Sequence, residues 1–127
     1  DGGAVSYNGY DISKPSIKFA RKVFGRYGNF DIAAITDLSI VPSHSYDVTI
    51  CSEVLEHIKE YNMEQKAIDE LKRISKKGGL LILATPNTEL LENHGFSFDE
   101  MNTLCKNNFV QYCIFENAIN TSDDKND

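Results

Sequence analysis

The segment SEVLEHI, residues 52–58, places two carboxylates and an imidazole close together directly after an apolar run. Glu53, Glu56 and His57 stand at positions i, i+3 and i+4, which share one side of a helix. A histidine beside a carboxylate can accept a proton from a hydroxyl group near neutral pH. A structural interpretation stays open, in which the carboxylates complement the N-terminus of a short helix and the histidine fills space.

Apolar runs that stop at polar residues predict three strands buried on both faces of a parallel sheet. They are AITDL at residues 34–38, YDVTIC at residues 46–51 and LLILATPN at residues 80–87. The alternating segment FVQYCIF, residues 109–115, predicts a last strand. The dipeptide Asn8-Gly9 allows two interpretations, because YNGYDIS could be a further strand or could contain the turn of a β-hairpin.

Helical periodicity separates these strands. Residues 17–24 carry one apolar face, with proline in the first turn and glycine at the end. Residues 67–74 carry a second face, which ends at a segment of lysines and glycines. Ser97 and Glu100 have the spacing of a capping box and predict the start of a third helix.

The alternation of strands and helices predicts one α/β domain with a mainly parallel sheet over residues 1–118. The polar residues 119–127 are expected to form a disordered tail. A net charge of −6 and a pI of about 5.0 argue against a general nucleic-acid binder, which carries a basic patch. No apolar run has the length of a membrane span, and three cysteines without paired spacing predict a reduced, cytoplasmic protein.

Polar side chains stand at the expected carboxyl ends of four strands, where open α/β sheets bind their ligands. These side chains are Asp11 and Ser13, Asp37, Ser52 and Glu53, and Thr85 and Asn87. A solvated loop explains each of them singly. Four such ends together predict a ligand site along one edge of the sheet.

Four segments, taken in order, resemble the class I S-adenosylmethionine-dependent methyltransferases. YNGYDIS is similar to the second strand of that family, and ITDLSIVPSHSYDVTICSEVLEHI to the run that leads through its fourth strand. AIDELKRISKKGGLLILATPN and HGFSFDEMNTLCKNNF resemble its next helix and strand and a late helix. Over residues 7–112 the resemblance implies a Rossmann-like methyltransferase fold that lacks the family's first strand and glycine-rich loop.

The resemblance also implies which residues bind the cofactor S-adenosylmethionine. Asp11 would accept hydrogen bonds from the ribose hydroxyls, because a carboxylate is a double acceptor, and Ile12 would pack on the adenine ring. Asp37 would accept from the adenine amino group, and the backbone of Leu38 would contact the ring.

The remaining cofactor positions lie at two other places in the chain. Cys51 and Ser52 would lie near the methionine part of the cofactor, and Gly2 and Gly3 would be a remnant of the glycine-rich loop. The family's first strand lies between its second and fourth strands, so its absence would leave unpaired sheet edges. A second copy of the chain or a partner chain is expected to cover those edges.

The activity implied by the resemblance is methyl transfer to an oxygen, less readily a nitrogen, of a small molecule. His57, together with Glu56, would remove the proton of the acceptor. One alternative is a catalytically inactive methyltransferase-like domain or fragment that serves in protein interaction. Another is a nicotinamide-dinucleotide binder, which the missing glycine-rich loop weakens equally.

A divalent metal site is a third interpretation of residues 52–58. The pattern E-x-x-E-H resembles the metal-binding motif of quinone-biosynthesis O-methyltransferases and of small-RNA 3′-terminal 2′-O-methyltransferases. By that resemblance Glu53, Glu56 and His57 would bind the ion, and His94 would complete the site. Such an ion would polarise the acceptor hydroxyl, and the RNA terminus would be an alternative acceptor that the acidic composition disfavours.

Overall fold

The polypeptide forms four strands and four helices within the residues that the computed structural model describes, which are Gly3, 6–88 and 95–116. In chain order they are β1 (Asn8–Asp11), α1 (Lys14–Phe24), β2 (Asn29–Ile32), β3 (Tyr46–Ser52), α2 (Leu55–Lys59), α3 (Glu64–Ile74), β4 (Ser75–Ala84) and α4 (Phe98–Asn108). The predicted site residues Gly2 and His94 and the predicted tail at residues 119–127 lie outside the described residues.

The strands form two separate two-stranded sheets, and both sheets are parallel. β1 pairs with β2 along its whole length, and β3 pairs with β4 with an irregularity between Tyr46 and Val48. The predicted α/β class with parallel strands is therefore confirmed. The division falls between β1 and β3, the two strands that the family resemblance places on either side of its first strand.

The main core lies between one face of β3 and β4 and the helices beside it. Its buried side chains are Cys51, Leu55, Ala67, Ile68, Leu71 and Phe96. Leu81 and Leu83 of β4 pack against this cluster. Alternate residues of a strand face opposite sides, so the other face of this sheet carries a second apolar set. That set is Val48, Ile50, Leu80 and Ile82, and all four are exposed.

A smaller buried cluster joins the two sheets. Leu38 and Val41, from the segment between β2 and β3, pack with Ile74 at the end of α3. Tyr10 of β1 and Tyr46 of β3 pack against this cluster, and their hydroxyl oxygens lie 2.5 Å apart in a hydrogen bond. Burial, and after it the hydrogen bond with Tyr10, raises the pKa of Tyr46, so its hydroxyl stays neutral at physiological pH.

Helices α1 and α4 have the ends that their sequences predict, whereas α3 ends at Ile74 and the lysines and glycines expected to close it belong to β4. Ser13 caps α1 by accepting a hydrogen bond from the amide of Ser16 at 3.3 Å, and Gly25 follows its last turn. The capping box of α4 is confirmed, because Ser97 and Glu100 each accept a hydrogen bond from the other's amide. Within the described ranges, none of the helices is long and apolar enough to span a bilayer.

One prediction about the first half of the chain is wrong, whereas the strand interpretation of YNGYDIS is confirmed by β1. Residues 34–38 form a turn instead of a strand, closed by the amide of Asp37 and the carbonyl of Ala34 at 3.0 Å. The strand lies earlier, at Asn29–Ile32. The hairpin alternative also fails, because Gly9 pairs in parallel register with Phe30.

The strand predicted at residues 109–115 is wrong as well, since these residues form no strand in the described part of the chain. Phe109 ends α4, with its amide bonded to the carbonyl of Cys105 at 2.8 Å. Val110 and Phe115 are almost fully exposed. The alternation in this segment therefore does not mark the buried face of a sheet.

Gly95 and Gly78 provide a matched test of backbone crowding. Both have positive φ, but a Cβ on Gly95 would lie 1.9 Å from the Pro86 carbonyl oxygen, whereas one on Gly78 would meet nothing within 4 Å. We expect Gly95→Ala to lower the free energy of unfolding by about 3 kcal/mol and Gly78→Ala by about 1 kcal/mol. Urea denaturation measures both values, and equal losses would contradict the crowding at Gly95.

The three cysteines should differ in reactivity. Cys51 and Cys105 are buried and Cys113 is exposed. Burial, reinforced by the nearby Glu56 carboxylate, raises the pKa of the Cys51 thiol to about 11. Burial also raises the pKa of Cys105.

Because only the thiolate reacts, we expect a thiol reagent at mildly alkaline pH to modify Cys113 in the folded chain and all three cysteines after unfolding. An aromatic disulfide serves as the reagent, because each modified cysteine releases one aromatic thiol. The absorbance of that thiol gives the number of modified cysteines. Cys113→Ser should abolish the reaction of the folded chain, and fast labelling that survives this change would refute the assignment.

Candidate functional site

The end of β1 presents Asp11 in a tight turn that leads into α1. The Oδ1 atom of Asp11 accepts a hydrogen bond from the amide of Ser13 at 2.8 Å, which fixes the carboxylate. The amide of Ala33 donates to the Asp11 carbonyl at 3.1 Å, so the segment after β2 lies beside this turn. The side chain of Ile12, between the two polar residues, is exposed to 70%. The turn therefore offers an apolar surface next to a carboxylate.

Asp37 lies in the turn that follows β2. Its Oδ1 atom accepts from the amide of Ser39 at 3.1 Å. Hydrogen bonds from Ser39 lower the pKa of Asp37, and the positive charges of Lys66 and Arg73 lower it further. Asp37 is exposed and so is an ionised acceptor at neutral pH. The sequence predicted Asp37 at the end of a strand, and the structure places it in the turn that follows the end of β2.

The backbone of Leu38 is occupied on both sides by α3. Its amide donates to Glu70 Oε2 at 2.7 Å, and its carbonyl accepts from Arg73 Nη2 at 2.8 Å. Its side chain is buried in the cluster that joins the sheets. Sequence reasoning missed Glu70 and Arg73, whose spacing of three along a helix is the only local signal of an interacting pair.

The end of β3 turns sharply at Glu53. This residue has φ of +58°, a left-handed conformation that costs a non-glycine residue about 1 kcal/mol or more. Its amide donates to the carbonyl of Ala84 at 2.8 Å, which joins the ends of β3 and β4. Cys51 points into the main core, whereas Ser52 is exposed. Of the two residues predicted to lie near the methionine part of the cofactor, only Ser52 has an accessible side chain.

Glu56 and His57 point in different directions from the short helix α2. The Glu56 side chain is 1% exposed, and its Oε2 atom has no hydrogen-bond partner among the described residues. Its Oε1 atom lies 3.8 Å from Nε2 of His57, which is 60% exposed. The expectation that Glu53 shares a helix face with them is wrong, because the helix begins at Leu55.

The predicted metal ligands do not converge in the described part of the chain. Glu53 is exposed outside the helix and Glu56 points into the interior. Among the described residues, no group of three histidine, cysteine, aspartate or glutamate side chains could hold a metal ion. His94, the proposed fourth ligand, lies outside those residues.

Lys59 fixes the start of α4 beside α2. Its Nζ atom donates to the carbonyl of Gly95 at 3.1 Å, forms an ion pair with Glu100 and lies 4.9 Å from the centre of the Phe96 ring. The hydrogen bond from Lys59 is the main cause of the lowered pKa of Glu100. Asn87, which follows β4, forms an isolated β-bridge with Phe96. This predicted strand-end residue therefore lies next to the residues that Lys59 contacts.

The polar strand ends therefore form two groups. Within the first sheet, the turn at Asp11 lies beside the segment that carries Asp37. Within the second, the ends of β3 and β4 meet at Glu53, with α2 directly after them. The first group offers exposed carboxylates and an apolar side chain, and the second offers a hydroxyl and an imidazole.

Comparison with known proteins gives a consistent assignment. A family model described as a methyltransferase domain matches residues 2–83. The YcgJ protein from Bacillus subtilis is similar in structure, with a TM-score of 0.64 and 19% identity over 81% of this chain and 51% of that one. The trans-methyltransferase CalH, solved in complex with SAH, has a TM-score of 0.55 and 19% identity over 73% of this chain and 30% of its own. No curated protein matches the sequence.

These comparisons differ in what they show. At 19% identity the two structures show the fold alone, and the chain spans 51% of the first and 30% of the second. The family match shows more than the fold, because residues 2–83 cover most of the chain. The matched part includes the candidate carboxylates Asp11 and Asp37 and also Glu56 and His57. This chain belongs to the methyltransferase domain family.

Proposed function

We propose that the protein binds S-adenosylmethionine and transfers a methyl group to an oxygen of a small-molecule acceptor. The observation that carries this proposal is the pair of exposed carboxylates, Asp11 and Asp37, each fixed by a turn at the end of the first sheet. In a chain of the methyltransferase domain family, two such acceptors suit the hydroxyl and amino groups of a nucleoside.

The hydrogen-bond acceptors and the apolar side chain at the end of the first sheet suit a bound nucleoside. Asp11 uses one oxygen for the amide of Ser13, which leaves the other to accept from a ribose hydroxyl. Ile12 offers an exposed apolar face for an aromatic ring. The lowered pKa of Asp37 keeps it a hydrogen-bond acceptor for the adenine amino group. The Leu38 amide is already bonded to Glu70, so we assign the ring contact to Ile12 instead.

Proton removal is the main chemical task of this chain. When bound, S-adenosylmethionine supplies a methyl group on a sulfonium centre that is already activated for displacement. We assign to His57 the role of general base, because it is exposed next to the end of β3. The Glu56 carboxylate, 3.8 Å away, attracts the imidazolium that forms when His57 takes the proton. A hydroxyl acceptor needs such a base, which favours oxygen over nitrogen.

A methyltransferase-like domain that serves in protein interaction is the second candidate function. One observation favours it, namely the exposed face of β3 and β4, where Val48, Ile50 and Leu80 are each more than half exposed. A second copy of the chain or a partner chain would cover that face. Binding of S-adenosylmethionine separates the two candidates, because a domain kept for interaction alone does not need the cofactor.

We also propose a cytoplasmic location. All three cysteines are free thiols, and the raised pKa of the two buried ones keeps them protonated. A reducing compartment suits such a protein.

Asp11→Asn tests the cofactor site. Asparagine can retain the turn through its carbonyl oxygen but loses the second acceptor and the charge. We expect S-adenosylmethionine and its demethylated product to bind at least about tenfold more weakly in calorimetric titration. Asp31→Asn is the matched control, because Asp31 lies on the neighbouring strand in an exposed ion pair with Arg21. Equal affinities of the wild type and Asp11→Asn would refute the site.

His57→Gln tests the proposed base. We expect turnover, measured as release of the demethylated cofactor with a hydroxylated acceptor found by screening, to fall about 100-fold. Cofactor affinity should not change, since His57 is assigned to the acceptor side. His44→Asn is the control, because His44 is an exposed histidine with φ of +56°, which asparagine tolerates. Full turnover by His57→Gln would exclude His57 as the base.

A further inference from the structure

Two charged side chains of α3 hold the segment that follows Asp37. The carboxylate of Glu70 accepts from the Leu38 amide at 2.7 Å. The guanidinium of Arg73 donates to the carbonyls of Leu38 and Val41, each at 2.8 Å. Arg73 and Glu70 also bind each other, with Nε and Oε1 2.8 Å apart. Both backbone polar groups of Leu38 are thus bonded to one helix.

The pair is charged and has the geometry of a rigid clamp. The hydrogen bond from Arg73 lowers the pKa of Glu70 and outweighs the opposing effect of burial. The same bond raises the pKa of Arg73. The planar guanidinium directs its donors at fixed angles, which a lysine ammonium cannot reproduce. Both side chains are partly shielded from water, at 31% and 20% exposure, so screening weakens their bonds only in part.

The helix that carries the pair is itself fixed. Ala67, Ile68 and Leu71 of α3 are buried in the main core under β3 and β4. Glu70 and Arg73 leave the same helix on another side and reach the segment that connects the two sheets. No backbone ladder joins those sheets in the described ranges. The position of Asp37 relative to the end of β3 therefore depends in part on this pair, which acts together with the buried cluster around Leu38 and the hydrogen bond between Tyr10 and Tyr46.

We infer that Glu70 and Arg73 are positioning residues for cofactor binding: they hold the Asp37 turn where its carboxylate meets the nucleoside. Neither side chain touches the ligand in this role. The inference rests on the proposed function, because Asp37 is the assigned acceptor. The affinity of the protein for the nucleoside part of the cofactor then depends on side chains of α3 as well as on the Asp37 turn.

Arg73→Lys and Glu70→Gln test this inference in the intact chain. Arg73→Lys keeps the positive charge but loses the planar set of guanidinium donors. Glu70→Gln keeps the shape of the side chain but is a weaker acceptor for the Leu38 amide. We expect each change to weaken S-adenosylmethionine binding about tenfold in calorimetric titration. The KM for the cofactor should rise by the same factor, while kcat at saturating cofactor stays within about twofold. Hydrogen exchange of the Leu38 amide should accelerate in both variants.

Lys66→Gln is the matched control. Lys66 is exposed and acts on Asp37 through its charge, so its removal tests the electrostatic effect without loosening the clamp. We expect its affinity to stay within about twofold of the wild type. Thermal unfolding establishes that each variant is folded. If Arg73→Lys does not fold, Glu70→Gln alone tests the inference.

The outcomes separate the inference from the function on which it rests. Wild-type affinity and KM in folded Arg73→Lys and Glu70→Gln would overturn the inference and leave the proposed function intact. An equal loss in Lys66→Gln would also overturn it, because charge alone would then explain the effect. A wild-type chain that binds neither the cofactor nor its demethylated product would overturn the proposed function and the inference together.

Discussion

The relative position of the two sheets depends on side chains, because no backbone ladder joins them within the described residues. An apolar cluster around Leu38 and Val41 supplies the contact, but packing of this kind has little directional preference. Direction comes from hydrogen bonds, in the hydroxyl pair of Tyr10 and Tyr46 and in the clamp that Arg73 makes with the connecting segment. A few polar bonds therefore add direction to the contact between the two groups of polar strand ends.

Helix α3 links these groups because it packs on two sides. Its apolar side is part of the main core, where Ile68 is fully buried under β3 and β4. Its polar side holds the segment after Asp37 through Arg73. A shift of the helix in the core would displace that segment as well, since the segment is hydrogen-bonded to the helix and the interior is close-packed. The first and second groups of polar strand ends are thus connected through one helix although they belong to different sheets.

The sequence was informative where local signals decide the structure, and uninformative where distant contacts do. The capping box at Ser97 and the strand at Tyr46–Ser52 follow from neighbouring residues alone. The strand at Asn29–Ile32 was missed because only one of its residues is even half-buried, so it lacks an apolar pattern. The AITDL segment looked like a strand, but its last residue is held by Glu70, which lies far along the chain. The burial of Glu56 likewise depends on the core around it and on no local pattern.

The second group of polar strand ends, together with α2, carries two features that cost stability. Glu53 adopts a left-handed backbone conformation, and Glu56 buries a carboxylate oxygen without a hydrogen bond in the described part of the chain. The first group shows neither feature, since Asp11 and Asp37 are exposed and bonded within their own turns. A fold tolerates such costs where the surrounding structure is strongest, and here they sit on the main core. The second group is therefore built on the main core, and Glu70 and Arg73 of α3 hold the segment that follows Asp37 beside that core.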